Sequence, residues 1–200
     1  MQDLTRENDK LRDILDKEES LRDFIPTQAT VIARNPYQWT ELITVNKGEE
    51  HGVKENMAVI TSKGLIGKIK YASQFTSTVQ LLSSLDRRNR ISAVIQGEEE
   101  FYGLIEGYDQ EKEALLLKRI PFDEKVEKDQ NVLTSGLGGV FPEGLVIGQV
   151  VEVVPDEFGL TKIAYIKPAA NFYDIDHVII VERKMVSPEN TSTIEEEEKK

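Results

Sequence analysis

Two hundred residues, 39% hydrophobic and 30% charged with a formal net charge of −11, make a foldable chain sized for one large domain or two small ones. That acidity sets the surface against nucleic acid and anionic lipid, so neither is expected as a main partner. With no cysteine the chain has no disulfide framework, thiolate zinc site or cysteine nucleophile. Its two longest uncharged stretches, Tyr71 to Leu85 and the glycine-interrupted Gln130 to Pro142, both fall short of the ~20 apolar residues a membrane helix needs.

Residues 1–26 read as a coiled-coil-type helix, free of Gly and Pro until Pro26. The start is charged throughout and has no signal-peptide form. Leu4, Leu11, Ile14, Leu21 and Ile25 fall at a/d spacing, and a second phase runs through Leu4, Asn8, Leu11 and Leu15. A stripe this narrow fits a coiled-coil seam better than the wider face of a helix lying on its own domain. Self-association through Leu4, Leu11, Ile14, Leu15 and Leu21 is the expectation.

From Thr27 the hydrophobic period changes to two. Ala29–Arg34, Trp39–Val45, Met57–Thr61, Leu65–Tyr71, Thr78–Leu82 and Ile91–Gln96 read as six short strands. Six more follow: Phe101–Gly107, Ala114–Arg119, Asn131–Thr134, Leu145–Val154, Leu160–Lys167 and His177–Glu182. The fold class is therefore mainly β, with two tandem six-stranded small barrels over 27–98 and 99–185. Units this small bury a modest share of their surface alone, so packing on each other and strand exchange between them are both open. Residues 186–200 read as a disordered acidic tail.

The two strand sets look like copies. Val53-Lys-Glu-Asn-Met-Ala-Val59-Ile-Thr61-Ser62 aligns with Val126-Glu-Lys-Asp-Gln-Asn-Val132-Leu-Thr134-Ser135, and Gly64-Leu-Ile-Gly67 answers Gly144-Leu-Val-Ile-Gly148. Such ordered matches point to a tandem duplication. They also isolate one departure. Between Ser62 and Gly64 the first copy has Lys63 alone, whereas the second has Gly136 to Glu143 between Ser135 and Gly144. Extra loops on a small scaffold commonly carry binding function, which makes Gly136, Leu137, Gly138, Gly139, Val140, Phe141 and Pro142 candidate partner contacts. Phe141 has two readings, a plug in the open end of its own barrel or a contact residue, and the second is preferred.

No cofactor, metal or catalytic group emerges. His51 and His177 each lack a second histidine or clustered carboxylates at ligand spacing, and the acidic residues are spread through turns and tail. The Arg87-Arg88-Asn-Arg90 cluster beside Asp86 has no aromatic interleaving and reads as a solvated turn. The order His51, Asp86, Ser135 would suit a double-barrel serine protease, but Leu137 stands where the nucleophile of a Gly-Asp-Ser-Gly-Gly turn belongs. Gly136-x-Gly138 is not followed by a third glycine or a helix, so no dinucleotide fingerprint forms. What remains is a binding and scaffolding protein, with a soluble ligand-binding barrel module as the alternative.

Arg34-Asn-Pro36-Tyr-Gln-Trp39, Asn46-Lys-Gly48, Gly52-Val53 and Gly64-Leu-Ile-Gly67 resemble the first β-domain of the rod shape-determining protein MreC family. Gly103-Leu-Ile-Glu-Gly107, Thr134-Ser-Gly-Leu-Gly-Gly-Val-Phe-Pro-Glu-Gly144 and Lys167-Pro-Ala-Ala170 resemble its second. The resemblance implies a non-catalytic scaffold of bacterial cell-wall elongation, required for cell shape. It implies self-association, and binding to the elongation-specific transpeptidase and to membrane proteins of the wall-synthesis complex. It further implies placement on the extracytoplasmic face of the cell membrane, with the family's cytoplasmic tail and single membrane span lying before residue 1.

Overall fold

The computed structural model describes residues 24–35, 41–84 and 90–183. The expected helix stripe, Leu4, Leu11, Ile14, Leu15 and Leu21, lies outside those residues, as do Trp39, Asp86 and the acidic tail. One boundary changes. Phe24, Ile25 and Pro26, expected to finish the helix, open the first strand. At Pro26 that strand has a neighbour on one side only, and such an edge tolerates proline's missing donor.

The described residues form twelve strands: β1 (Phe24–Arg34), β2 (Leu42–Val45), β3 (Ala58–Ile60), β4 (Leu65–Ala72), β5 (Ser77–Leu81), β6 (Ile91–Ile95), β7 (Phe101–Asp109), β8 (Ala114–Ile120), β9 (Asn131–Thr134), β10 (Val146–Pro155), β11 (Lys162–Pro168) and β12 (His177–Arg183). Val, Ile and Leu dominate their inward positions, and all the strand pairs are antiparallel. Two closed barrels result, in the circular orders β1-β12-β3-β4-β5-β2 and β10-β11-β8-β7-β6-β9. Closure leaves neither sheet a free edge.

The barrels do not follow the expected split at residue 98. β6 closes the second barrel and β12 closes the first, so the sixth strand of each copy serves the other copy's barrel. Exchange β6 and β12 in name and the two circuits become the same circuit, copy for copy. The repeat extends to backbone detail. Asn56 and its counterpart Asp129 both hold left-handed backbone angles (φ 66° and 69°), which Asn and Asp tolerate better than most residues. Their N–H groups donate to Ile69 O and Val150 O at 2.8 Å in each copy, and Ile69 and Val150 donate back to Met57 O and Gln130 O at 2.9 and 3.0 Å.

A single cluster of buried residues runs through both barrels. In β12, Val178, Ile179, Ile180 and Val181 are buried in succession, where a strand with one wet face would alternate. The outer face of β12 is thus covered as well as its inner face. The crossing from β11 to β12 is tied at several points. Ala169 donates to Ile147 O at 2.9 Å, and Val31 donates to Asp176 O at 2.9 Å. Arg34 Nη1 donates to Phe172 O at 2.8 Å. Burial lowers the pKa of the Arg34 guanidinium, against the opposing pull of Asp176 and Asp174. Phe172 is buried with its ring 6.2 Å from that of Tyr108, whose hydroxyl is pushed up to about 12 by burial and by Glu113.

Candidate functional site

The glycine-rich insertion joins β9 to β10 on the second barrel and is built around a buried threonine. Thr134 Oγ1 donates to Pro142 O and accepts from Leu145 N at 2.8 Å, while Gly144 N donates to Thr134 O at 2.9 Å. Ser135 N donates to Ser92 O at 3.0 Å, which fastens the start of the loop to β6. Gly136, Gly138 and Gly139 take φ of 72°, 98° and 75°, angles that bring the chain round in few residues and that L side chains rarely adopt. Phe141 packs half-buried against the core, Pro142 is buried and Val140 is half-buried. Leu137, 62% exposed, is the loop's large apolar group in water.

Sequence reasoning missed the surface beside this loop. A Cβ on Gly138 would stand 3.3 Å from Ser92 Oγ, so the loop tip lies over β6. Ser92 is the cross-strand partner of Leu104, and Val94 that of Tyr102. Directly opposed residues share a face, so Tyr102 and Leu104, both exposed, continue the apolar strip from Leu137 across the outer wall of the barrel. Tyr102 Oη donates to Glu100 Oε2 at 2.9 Å. That bond to Glu100 raises the phenol's pKa, with nearby Glu143 adding to the effect. The signal was present as Tyr-x-Leu at strand spacing, but alternation does not tell which face is wet.

The groups considered for catalysis are separately engaged. Gly48 N donates to His51 Nδ1 at 3.4 Å in a turn of the first barrel. Leu137 N donates to Ser135 Oγ at 3.3 Å in the second barrel. Asp86 lies outside the described residues, and Thr30 Oγ1 pairs with His177 Nδ1 at 3.5 Å. Among the described residues no three His, Asp or Glu side chains gather as metal ligands, and no helix is long and apolar enough to cross a membrane. A groove of about 510 Å3 on the second barrel runs between Arg90, Glu106, Lys118 and Arg119 and the Asp156–Thr161 turn. Its half-buried carboxylate, Glu106, is ion-paired to Arg90 at 3.4 Å and Arg119 at 3.5 Å. Inside the barrels Ile43, Leu65, Ile69, Leu81, Ile105, Leu115 and Leu117 are at most 1% exposed, so side chains fill the space a ligand chamber would need.

These features define a class: a tandem double barrel with exchanged sixth strands, a filled interior and an apolar outer face carried by an inserted loop. The chain belongs to the MreC family. The model of rod shape-determining protein MreC, barrel core, matches residues 31–182. The chain is 50% identical over 190 residues to the cell shape-determining protein MreC of Bacillus subtilis, covering 92% of this chain and 66% of that one. It is 46% identical over 181 residues to the protein of the same name from Listeria monocytogenes, covering 90% and 61%. The chain thus spans about two thirds or less of the length of these relatives. A solved structure of MreC from Listeria superposes with a TM-score of 0.78 at 46% identity, over 92% of this chain and 87% of that one. A Helicobacter pylori MreC solved in complex with penicillin-binding protein PBP2 shares the fold, with a TM-score of 0.63 at 21% identity over 81% and 99%.

Proposed function

We propose that this chain is a non-catalytic scaffold of bacterial cell-wall elongation, acting on the extracytoplasmic face of the membrane. In this reading it binds a wall-synthesis transpeptidase through the second barrel and self-associates through the stripe Leu4, Leu11, Ile14, Leu15 and Leu21. The observation that carries it is the apolar strip of Leu137, Leu104 and Tyr102, set by a rigid loop on a barrel with no interior for a ligand. Exposed aromatic and aliphatic groups on a fixed frame are what protein interfaces centre on. The complex of the Helicobacter relative with PBP2 and the relatives' names as cell shape-determining proteins support the same reading.

The test separates the loop's two jobs. Leu137→Ser is expected to leave melting unchanged and weaken binding of the purified extracytoplasmic portion of the elongation-specific transpeptidase about tenfold, a common effect of losing one well-placed apolar contact. Phe141→Ser is expected to cost about 2 kcal/mol, since the ring is half-buried against the core, and to lower melting by about 5 °C. Transpeptidase binding unchanged in both variants would remove the loop from the interface. For self-association, Leu11→Asp with Ile14→Asp is expected to shift sedimentation toward monomer with the β circular-dichroism signal intact. A double variant sedimenting as wild type would exclude the seam.

A further inference from the structure

The groove beside the Asp156–Thr161 turn is shaped by bulges in two neighbouring strands. Where β8 pairs with β11, Leu117 faces Ala164 and Ile120 faces Lys162, so Lys118 and Arg119 together oppose Ile163. Arg119 takes a left-handed φ of 63°, an angle that a side chain of its size rarely adopts. The extra residue turns both cations outward, while Leu117 and Ile120 on either side stay buried. Where β7 pairs with β8, Glu106 is the extra residue between Ile105 and Gly107. In the first barrel the strands matching β8 and β11, namely β2 and β5, keep unbroken register. The doubled outward position is thus a feature of the second copy.

These bulges leave one group unsatisfied. The Glu106 side chain is 10% exposed, and its Oε1 is closed off from water without accepting a hydrogen bond. Arg90 Nε stands 3.4 Å from Oε1 and Arg119 Nη2 stands 3.5 Å from Oε2, beyond the roughly 2.8 Å of a close charge-assisted bond. A carboxylate oxygen so placed costs free energy until a donor reaches it. Both arginine side chains are exposed, so they can part to admit one.

The facing wall is held still. Asp156 Oδ1 accepts from Leu160 N at 2.9 Å and Thr161 N at 3.3 Å, and its Oδ2 accepts from Thr161 Oγ1 at 2.9 Å. Asp156 N donates to Thr161 O at 2.8 Å, and Gly159 N to Asp156 O at 3.1 Å. On this fixed turn Phe158 and Leu160, 81% and 76% exposed, are the most exposed large hydrophobic groups among the described residues. Phe158 lines the groove.

At about 510 Å3 the groove has the size of a small-ligand site. Its charged lining is balanced, with Arg90, Lys118 and Arg119 against Glu106, Asp156 and Glu157. Net charge therefore selects neither an anion nor a cation. What the lining demands is a donor for Glu106 and an acceptor for the guanidiniums at one point, beside an apolar face for Phe158. A hydroxyl donates and accepts from a single atom, whereas a trans peptide group turns its N–H and C=O to opposite sides. Sugar rings carry hydroxyls on neighbouring carbons, and a face of C–H groups that the negative face of an aromatic ring attracts.

We propose that this groove binds a glycan segment. Phe158 lies under a sugar ring, Glu106 accepts from one hydroxyl, and Arg90 and Arg119 donate to that hydroxyl and its neighbour. The proposal does not depend on the scaffold reading.

The probes are an N-acetylglucosamine tetramer and maltotetraose, a glycan without acetamido groups, each titrated into the isotope-labelled chain and followed by amide chemical shifts. Saturable shifts confined to β7, β8 and the Asp156–Thr161 turn are expected with at least one of the two. Arg119→Gly removes the guanidinium at a position whose backbone angle suits glycine, so the fold is kept. It is expected to weaken sugar binding at least tenfold, the effect of losing a hydrogen bond to a charged group. Phe158→Ser, at an exposed position, is expected to weaken it as much with melting unchanged. Saturable binding of neither sugar overturns the proposal, and so do shifts elsewhere on the chain or full affinity in both variants. Shifts at the groove with inorganic phosphate or a tetraglutamate peptide, and with neither sugar, overturn the ligand class in favour of an anion. Transpeptidase binding is measured on the same wild-type chain. Its absence with sugar binding present removes the scaffold reading and leaves the groove, and the reverse result removes the groove and leaves the scaffold reading.

Discussion

A chain ended at Asp176 is expected to keep its second barrel and lose its first. All six strands of the second barrel lie between Ile91 and Pro168, whereas the first joins β1 to β12 across almost the whole described chain. Removing β12 opens the wall between β1 and β3. It deletes a ladder that pairs Phe24 through Thr30 with Arg183 through His177, and another that pairs Ala58–Ile60 with Val181–Ile179. It also removes the buried side chains of Val178, Ile179, Ile180 and Val181. At about 1.5–3 kcal/mol for each buried aliphatic side chain, the loss is on the order of 6–12 kcal/mol, comparable with the whole stability of a domain. Native-state hydrogen exchange is the measurement. Amides of β2, β3, β4 and β5 are expected to exchange as in an unfolded chain, while those of β7, β8, β10 and β11 stay protected. Protection of β3 and β4 at wild-type levels would show that the first barrel does not depend on its borrowed strand. The same topology orders folding, because local pairings form before a closure that must join distant ends of the chain.

Fold class was legible in the sequence, since period-two runs broken by Gly, Asn and Asp turns leave little besides small β-barrels. The copy relation was legible too, in shared Thr-Ser and Gly-Leu elements that recur in order. The exchange of sixth strands was not. Val94-Ile95 and Val178-Ile179 have the same pattern, and alternation specifies which face is buried, not which neighbour is paired. The inserted loop could be found as a length difference between copies, and its candidate residues are brought together on one turn. The division of labour within it is a matter of geometry: Thr134 and Pro142 anchor it, Phe141 lies against the core, and Leu137 faces water. Phe158 and Leu160 carried no distinguishing signal, because a hydrophobic residue next to a strand looks like core until the turn's hydrogen bonds show which way it points.

Replacing Gly148 or its counterpart Gly67 by alanine is expected to damage both barrels. The two glycines are counterparts in the repeat, each opposite a partner strand, Gly67 paired with Leu81 and Gly148 with Pro168. A Cβ on Gly67 would fall against the Gln80 carbonyl, and a Cβ on Gly148 against the Lys167 carbonyl, each nearer than real Cβ atoms approach. The obstacle is backbone in both cases, so no side-chain rotation relieves it. The strand must move out, with a loss of about 3 kcal/mol. At Gly67 the displaced residues, Gln80 and Leu81, are the last of β5, at the head of the crossing through Leu82–Ser84 to β6, which closes the second barrel. At Gly148 the displaced residues are the last of β11, next to Ala169, whose N–H donates to Ile147 O at the head of the crossing to β12. In both cases a shift there is passed to the strand that closes the other barrel. Gly139→Ala is the control. Its Cβ would meet nothing within 4 Å, leaving only the strain of φ 75°, about 1 kcal/mol. Exchange protection is the readout. Gly148→Ala is expected to speed exchange in β12 and β3 as well as β11. Gly67→Ala is expected to speed it in β6 and β9 as well as in β4 and β5. Purely local effects of either substitution would show that its crossing does not couple the barrels.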